Sequence, residues 1–182
     1  MDLRPALQLQ TVIKALTDVV LPAVDPNNKL AQEQAKLAIG MLQLVVQRQP
    51  LLYRYERDEL ARFLVLADTL REQAAALPAA KAALHALTVS TEVGEDVMAR
   101  AQAEPSELEA ANFDLREKIG ALITTVYAGT PTSDLKPISA AVNAHAKEQL
   151  LRERVWLQAQ GWEPDPTSLP AIEALIGAGP EA

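Results

Sequence analysis

The chain has 182 residues, no cysteine and a formal net charge of −7, which excludes disulfides and thiolate chemistry and suits one domain, or a compact pair of halves, with a real core. Ala and Leu fill 59 of its positions while aromatics make up 4%, a composition that favours helix over sheet. Residues 1–91 hold 10 basic and 9 acidic groups and residues 92–182 hold 7 and 15, so no basic excess exists for displacing counterions from nucleic acid.

Twelve prolines punctuate the sequence. A first helix is predicted from Pro5 to Val20, stopping before Pro22, with Leu9, Val12, Ile13, Leu16, Val19 and Val20 as its buried stripe. Asp25 and Pro26 read as the N-cap and first position of a second helix that Pro50 ends. Leu30, Leu37, Met41 and Leu44 form its central seam, widened by Ile39, Val45 and Val46, and Gly40 would let a neighbouring helix approach. A third helix spans 55–77. Its stripe is Leu60, Phe63, Leu64, Ala67 and Leu70, and Val65 and Leu66 make it apolar nearly all round, the pattern of a helix covered by other elements or by a second molecule.

An alanine-rich helix follows over 79–88. Gly94 interrupts the next stretch, leaving a short helix over 95–103 and a soft division of a single helical domain, 1–182, near 89–104. The acids Glu92, Glu95, Asp96, Glu104, Glu107 and Glu109 face only Arg100; they read as a solvated helix start, with an acidic docking surface as the alternative. Pro105-Ser106-Glu107 opens a helix to Tyr127 with the stripe Leu108, Ala111, Leu115, Ile119, Leu122 and Val126. Ser133 or Asp134 caps a last long helix from 135 to 160, Gly161 takes the left-handed position beyond it, a short helix covers 168–177, and residues 179–182 fray. The expected fold is an all-α bundle of five to seven helices, mostly antiparallel, with two or three long ones. Ile13-Lys14-Ala15-Leu16 with Val20 parallels Ile119-Gly120-Ala121-Leu122 with Val126, a match that duplication or shared amphipathic patterning would both produce.

The inventory for chemistry is sparse. His85 and His145 lack the Glu-x-x-His or His-Glu-x-x-His spacing of helical metal sites, and both read as structural histidines. Neither a nucleophile elbow nor a phosphate-binding glycine loop is present, so no catalytic residue, metal or cofactor is assigned. Two clusters stand out. Tyr53-Arg54-Tyr55 with Arg57, at the joint of the second and third helices, suits loop anchoring, a protein contact, or capture of a carboxylate or phosphate. Arg152, Arg154, Trp156 and Trp162 close the last long helix, where Trp156 would seal one end of the core or face a partner.

Asp18-Val19-Val20-Leu21-Pro22-Ala23-Val24, the helix after it to Arg48, and the later blocks Leu115-Arg116 to Gly129 and Ala144 to Trp156 resemble a small family of uncharacterised all-helical bacterial proteins. The likeness covers about 90 residues, with 71–107 departing from it. Members are often encoded beside acyl-CoA dehydrogenases and aminoglycoside-phosphotransferase-like proteins, which implies an accessory role and supplies no functional residue. The functional expectation is a cytoplasmic, non-catalytic helical protein acting through protein–protein contacts, as a homo-oligomer or accessory subunit, without nucleic acid or membrane. The alternative is a module binding an acyl or aromatic molecule between helices, with Arg57, Tyr53 and His145 as inward polar groups.

Overall fold

A computed structural model describes residues 4–177 of the chain, except for the side chains of Thr132 and Ser133. The fold is an all-α helical bundle, with no strand among the described residues. Helix α1 comprises Pro5–Ala15, a π-helical turn Leu16–Val20 and the last turn Leu21–Ala23; α2 is Lys29–Arg48, α3 Leu52–Ala74, α4 Lys81–Ala99, α5 Pro105–Gly129 and α6 Lys136–Leu157. Among the described residues no helix is long and apolar enough to cross a membrane.

The chain divides into two compact units. The first holds 1–52 and 153–172, the second 53–152 and 173–182. The stretch 89–104 lies wholly inside the second. In that unit α4 packs along α5, and the core gathers Leu60, Phe63 and Leu70 of α3, Leu87 of α4, and Leu108, Leu115, Leu122 and Val126 of α5. All six stripe residues of α5 are buried. Its start is fixed by a reciprocal cap, in which the Glu104 carboxylate accepts from the backbone of Glu107 and the Glu107 carboxylate accepts from the Glu104 N–H at 2.8 Å.

Several boundaries differ from the sequence reading, each for a local reason. Pro22 does not end the first helix before Leu21. The turn just upstream widens so that the Leu21 N–H reaches Leu16 O, and the helix carries its proline to Ala23. Asp25 caps nothing: its Oδ1 accepts from the Asn27 N–H at 2.9 Å in a local turn, and Asn28 caps α2 by accepting from the Ala31 N–H. Gly94 does not break a helix, since α4 runs through it. The stretch 168–177 forms no α-helix, only 3-10 turns at Pro166–Ser168 and Ile172–Ala174. Gly161 does take the left-handed conformation, with φ of 72°. The expected Ser133 cap and the fraying at 179–182 fall outside the described residues.

Two glycines separate packing from propensity. A β-carbon at Gly94 would meet Leu64 Cδ2 at 3.1 Å and Leu115 Cδ1 at 3.3 Å, whereas one at Gly120 would meet nothing within 4 Å. Gly120→Ala should therefore stabilise the chain by about 0.5–1 kcal/mol through helix propensity. Gly94→Val should cost about 1–3 kcal/mol by overpacking the α3–α4–α5 contact. Denaturant midpoints of the two variants check both signs.

The first unit is built differently. Its helices α1 and α2 pack on one another, and the 153–172 segment contributes Val155 near its start and Ile172 at its end. No residue of α1 is buried, and α2 buries only Ile39 and Leu44. The stripe expected to be buried in α1 is thus largely open, because α2 covers one side and nothing among the described residues covers the other. The repeat-like match joins unlike surroundings: Ile119, Leu122 and Val126 are buried, while Val20 is exposed.

Candidate functional site

Two features are built beyond what folding requires, one in each unit. In the first unit the seam of α2 faces out. Leu30 is 68% exposed, and Leu37, Met41 and Val45 are 43–48% exposed; their spacings of seven, four and four place them on one helix face. Helix α1 adds Val12 and, seven residues on, Val19, which is 67% exposed. The charges of the first unit nearly cancel, six basic against seven acidic. The remaining 110 residues carry −6 of the chain's −7.

Arg48, at the end of α2, closes this unit. It donates to Trp156 O and Val155 O, both at 3.0 Å, and its guanidinium lies 5.4 Å from the Trp156 ring centre. A cation thereby satisfies the last carbonyls of α6, where the helix dipole favours positive charge. Gln160 donates to Gly40 O at 3.0 Å, so Gly40 serves a side-chain amide and not a close helix crossing. Trp162 is 63% exposed; beside it Glu163 forms a two-bond pair with Arg154 that holds its carboxyl below the usual range.

In the second unit α3 carries a polar ridge that reaches across to α5 and α6. Arg152 of α6 is 1% exposed. Its guanidinium donates to Gln149 Oε1 at 2.8 Å and Tyr55 O at 3.3 Å, pairs with Asp58 at 3.1 Å and stacks 4.4 Å from the Tyr55 ring centre. Glu59, also buried, accepts from Arg116 and Gln149, each at 3.0 Å. Burial pushes its carboxyl above the usual range; Arg116 and Arg152 oppose this, and Glu56 adds to it. Asn112 donates to both Glu56 O and the Glu56 carboxylate at 2.9 Å. Arg152 Nε and Asn112 Oδ1 are buried without a protein partner.

Beside this network an open groove of about 520 Å3 runs between α3 and α6, lined by Asp58, Arg62, Val65 and Leu66 on one side and by His145 and Glu148 on the other. Arg62 bridges Asp58 and Glu148, both at 2.7 Å. Burial lowers the His145 imidazole below its usual 6.5; Glu148 opposes this, while Arg62, Arg152 and Arg116 reinforce it. Its ring packs 4.9 Å from that of Phe63. The unfolded chain therefore takes up a proton on this residue before the folded one does. Stability should fall as pH drops below 6.5, until the folded imidazole titrates in turn. His145→Gln should flatten that part of the profile when thermal midpoints are compared between about pH 8 and about pH 5.

The other expected residues are scattered. Tyr53 packs against the core, Tyr55 lies under Arg152, Arg57 donates to Met98 O at 2.7 Å near the end of α4, and Arg54 grips the tail at Gly177. Only Arg54 and Tyr55 belong to the ridge, and neither Tyr53 nor Arg57 lines the groove. In the sequence Asp58 and Glu59 read as helix-start charges neutralised by Arg54 and Arg57, and Arg62 and Gln149 draw no notice. The signal was present in the four-residue steps Arg54, Asp58, Arg62 on α3 and in the Gln149–Arg152 step on α6, but i, i+4 charges also mark ordinary solvated faces. Among the described residues no group of three or more His, Asp or Glu is placed to hold a metal ion.

Comparison with family models, curated proteins and solved structures found no match. The functional reading therefore rests on the geometry alone.

Proposed function

We propose that this chain works through contacts with other protein chains, first of all with a second copy of itself, and not by turnover. The carrying observation is the first unit, whose two long helices leave Val12, Val19, Leu30, Leu37 and Met41 in water. Exposed apolar side chains in a periodic stripe stabilise nothing in an isolated chain, whereas burying each large aliphatic side chain is worth about 1.5–3 kcal/mol. The occupant is chosen by charge. A unit with six basic and seven acidic groups can face its own copy with little net repulsion, while the remainder, at −6, repels itself. A cytoplasmic location and the accessory role that the family resemblance implies are compatible with the same surface.

Sedimentation velocity of the full chain over a range of concentrations tests the reading. A mass that rises toward twice 19.7 kDa supports it, and a strict monomer at micromolar concentration counts against it. The second reading, a small molecule held between helices, is favoured by the groove with His145 on its wall. It ranks lower because the charged groups there already pair with one another and the aliphatic wall is limited to short side chains besides Val65 and Leu66. A thermal-shift screen with acyl-CoAs and fatty acids addresses it directly.

A further inference from the structure

Residues 173–177 lie on the α3 ridge in a manner that no helix packing explains. Arg54 directs both Nε, at 3.3 Å, and Nη2, at 2.6 Å, at the single carbonyl oxygen of Gly177. Asp58 Oδ1 accepts from the Gly177 N–H at 3.1 Å, and Arg62 Nη2 donates to Leu175 O at 3.1 Å. Ile176, between these bonds, is 3% exposed. Three side chains spaced four residues apart on one helix thus bind the main chain of an irregular segment, with one apolar side chain as its anchor. Such contacts read backbone and a single side chain, so they transfer to any peptide of the same form.

The Nε–Nη2 edge of an arginine is the fork that matches the two oxygens of a carboxylate, and here it holds one amide oxygen. A chain ending at this position would give Arg54 a second acceptor and a full negative charge. Arg54 is the cation available for it: Arg62 is shared by Asp58 and Glu148 and Arg152 pairs with Asp58, whereas no carboxylate among the described residues pairs with Arg54.

We infer that the ridge Arg54–Asp58–Arg62 is a docking site for the carboxyl end of a polypeptide, with an isoleucine-like residue next to a small terminal residue, and that the chain's own 173–177 segment occupies it in cis. The internal segment acts as a tethered competitor, present at an effective concentration on the order of millimolar. It masks the site until it is displaced. This inference stands apart from self-association, since it uses the second unit only.

The test is fluorescence anisotropy with a labelled peptide Glu-Ala-Leu-Ile-Gly bearing a free carboxylate, set against the same peptide amidated. The protein is the full chain carrying Ile176→Asp, which removes the cis anchor. Gly177→Pro, which removes the donor to Asp58 at an exposed position, serves as a second form. At least one of the two variants, folded by circular dichroism, should bind the free-acid peptide at least about tenfold more tightly than either the amidated peptide or the same chain with Arg54→Ala added. The unaltered chain should bind it at least about tenfold more weakly than the variant does. No binding to either variant, equal binding of acid and amide, or binding indifferent to Arg54 overturns the inference. Loss of helical signal in both variants does so too, because a segment needed for folding is not a displaceable occupant.

Discussion

Leu37→Glu with Met41→Glu should convert the chain to a monomer at concentrations where the unaltered protein is paired. Both side chains are 43% exposed, so the isolated fold should keep its stability to within about 0.5 kcal/mol. In an interface the same carboxylates would be desolvated without partners, at about 2 kcal/mol or more each, which together weakens association by about a thousandfold. Val65→Glu is the matching control. Val65 is 69% exposed on α3 in the second unit, and its substitution should leave the sedimenting mass unchanged. Equal masses for the unaltered chain and the α2 variant would remove the basis for self-association through this helix pair.

Arg152→Ala should be the most destabilising single substitution outside the aliphatic core. The guanidinium is 1% exposed and serves Asp58, Gln149 and the Tyr55 carbonyl together. Its removal takes a donor from Gln149 Oε1 and the Tyr55 carbonyl, strips Asp58 of one of its two cations and leaves a void against the Tyr55 ring, at about 3–5 kcal/mol. In a chain of this size that corresponds to a fall of roughly 6–20 °C in the thermal midpoint. Arg154→Ala, two residues on, removes an exposed, solvent-screened pair with Glu163 and should leave the midpoint nearly unchanged. Thermal unfolding followed by circular dichroism separates the two. If Arg152→Ala behaved like Arg154→Ala, the polar network would contribute little to holding α3, α5 and α6 together.

How far the sequence led depends on what each residue had to decide. The stripe of α5 was legible because one periodicity and one reciprocal cap determine both its bounds and its buried face. Bounds failed where a proline or glycine had more than one way to be accommodated. Pro22 is carried by a widened turn and Gly94 by close packing, and neither solution leaves a mark on local composition. Periodicity identified the apolar faces of α1 and α2 but not whether anything lay over them, since an amphipathic stripe reads the same against a core or against a partner. The charged ridge was harder still. Arg54 and Tyr55 drew notice as a cluster adjacent in sequence, but their partners Gly177 and Arg152 arrive from elsewhere in the chain, and only the fold brings them together.

Because the first unit is assembled from 1–52 and 153–172, its opening helices are synthesised well before the residues that finish it. The intervening 100 residues, from Tyr53 to Arg152, take about 5–20 s to translate at ordinary ribosomal speed. Throughout that interval α1 and α2 emerge with their oily flanks bare and with Arg48 still lacking the terminal carbonyls it will later cap. A nascent chain of this design exposes that apolar stripe before residues 153–172 arrive, and two neighbouring ribosomes on one message would offer each other the surfaces that we propose a mature pair shares.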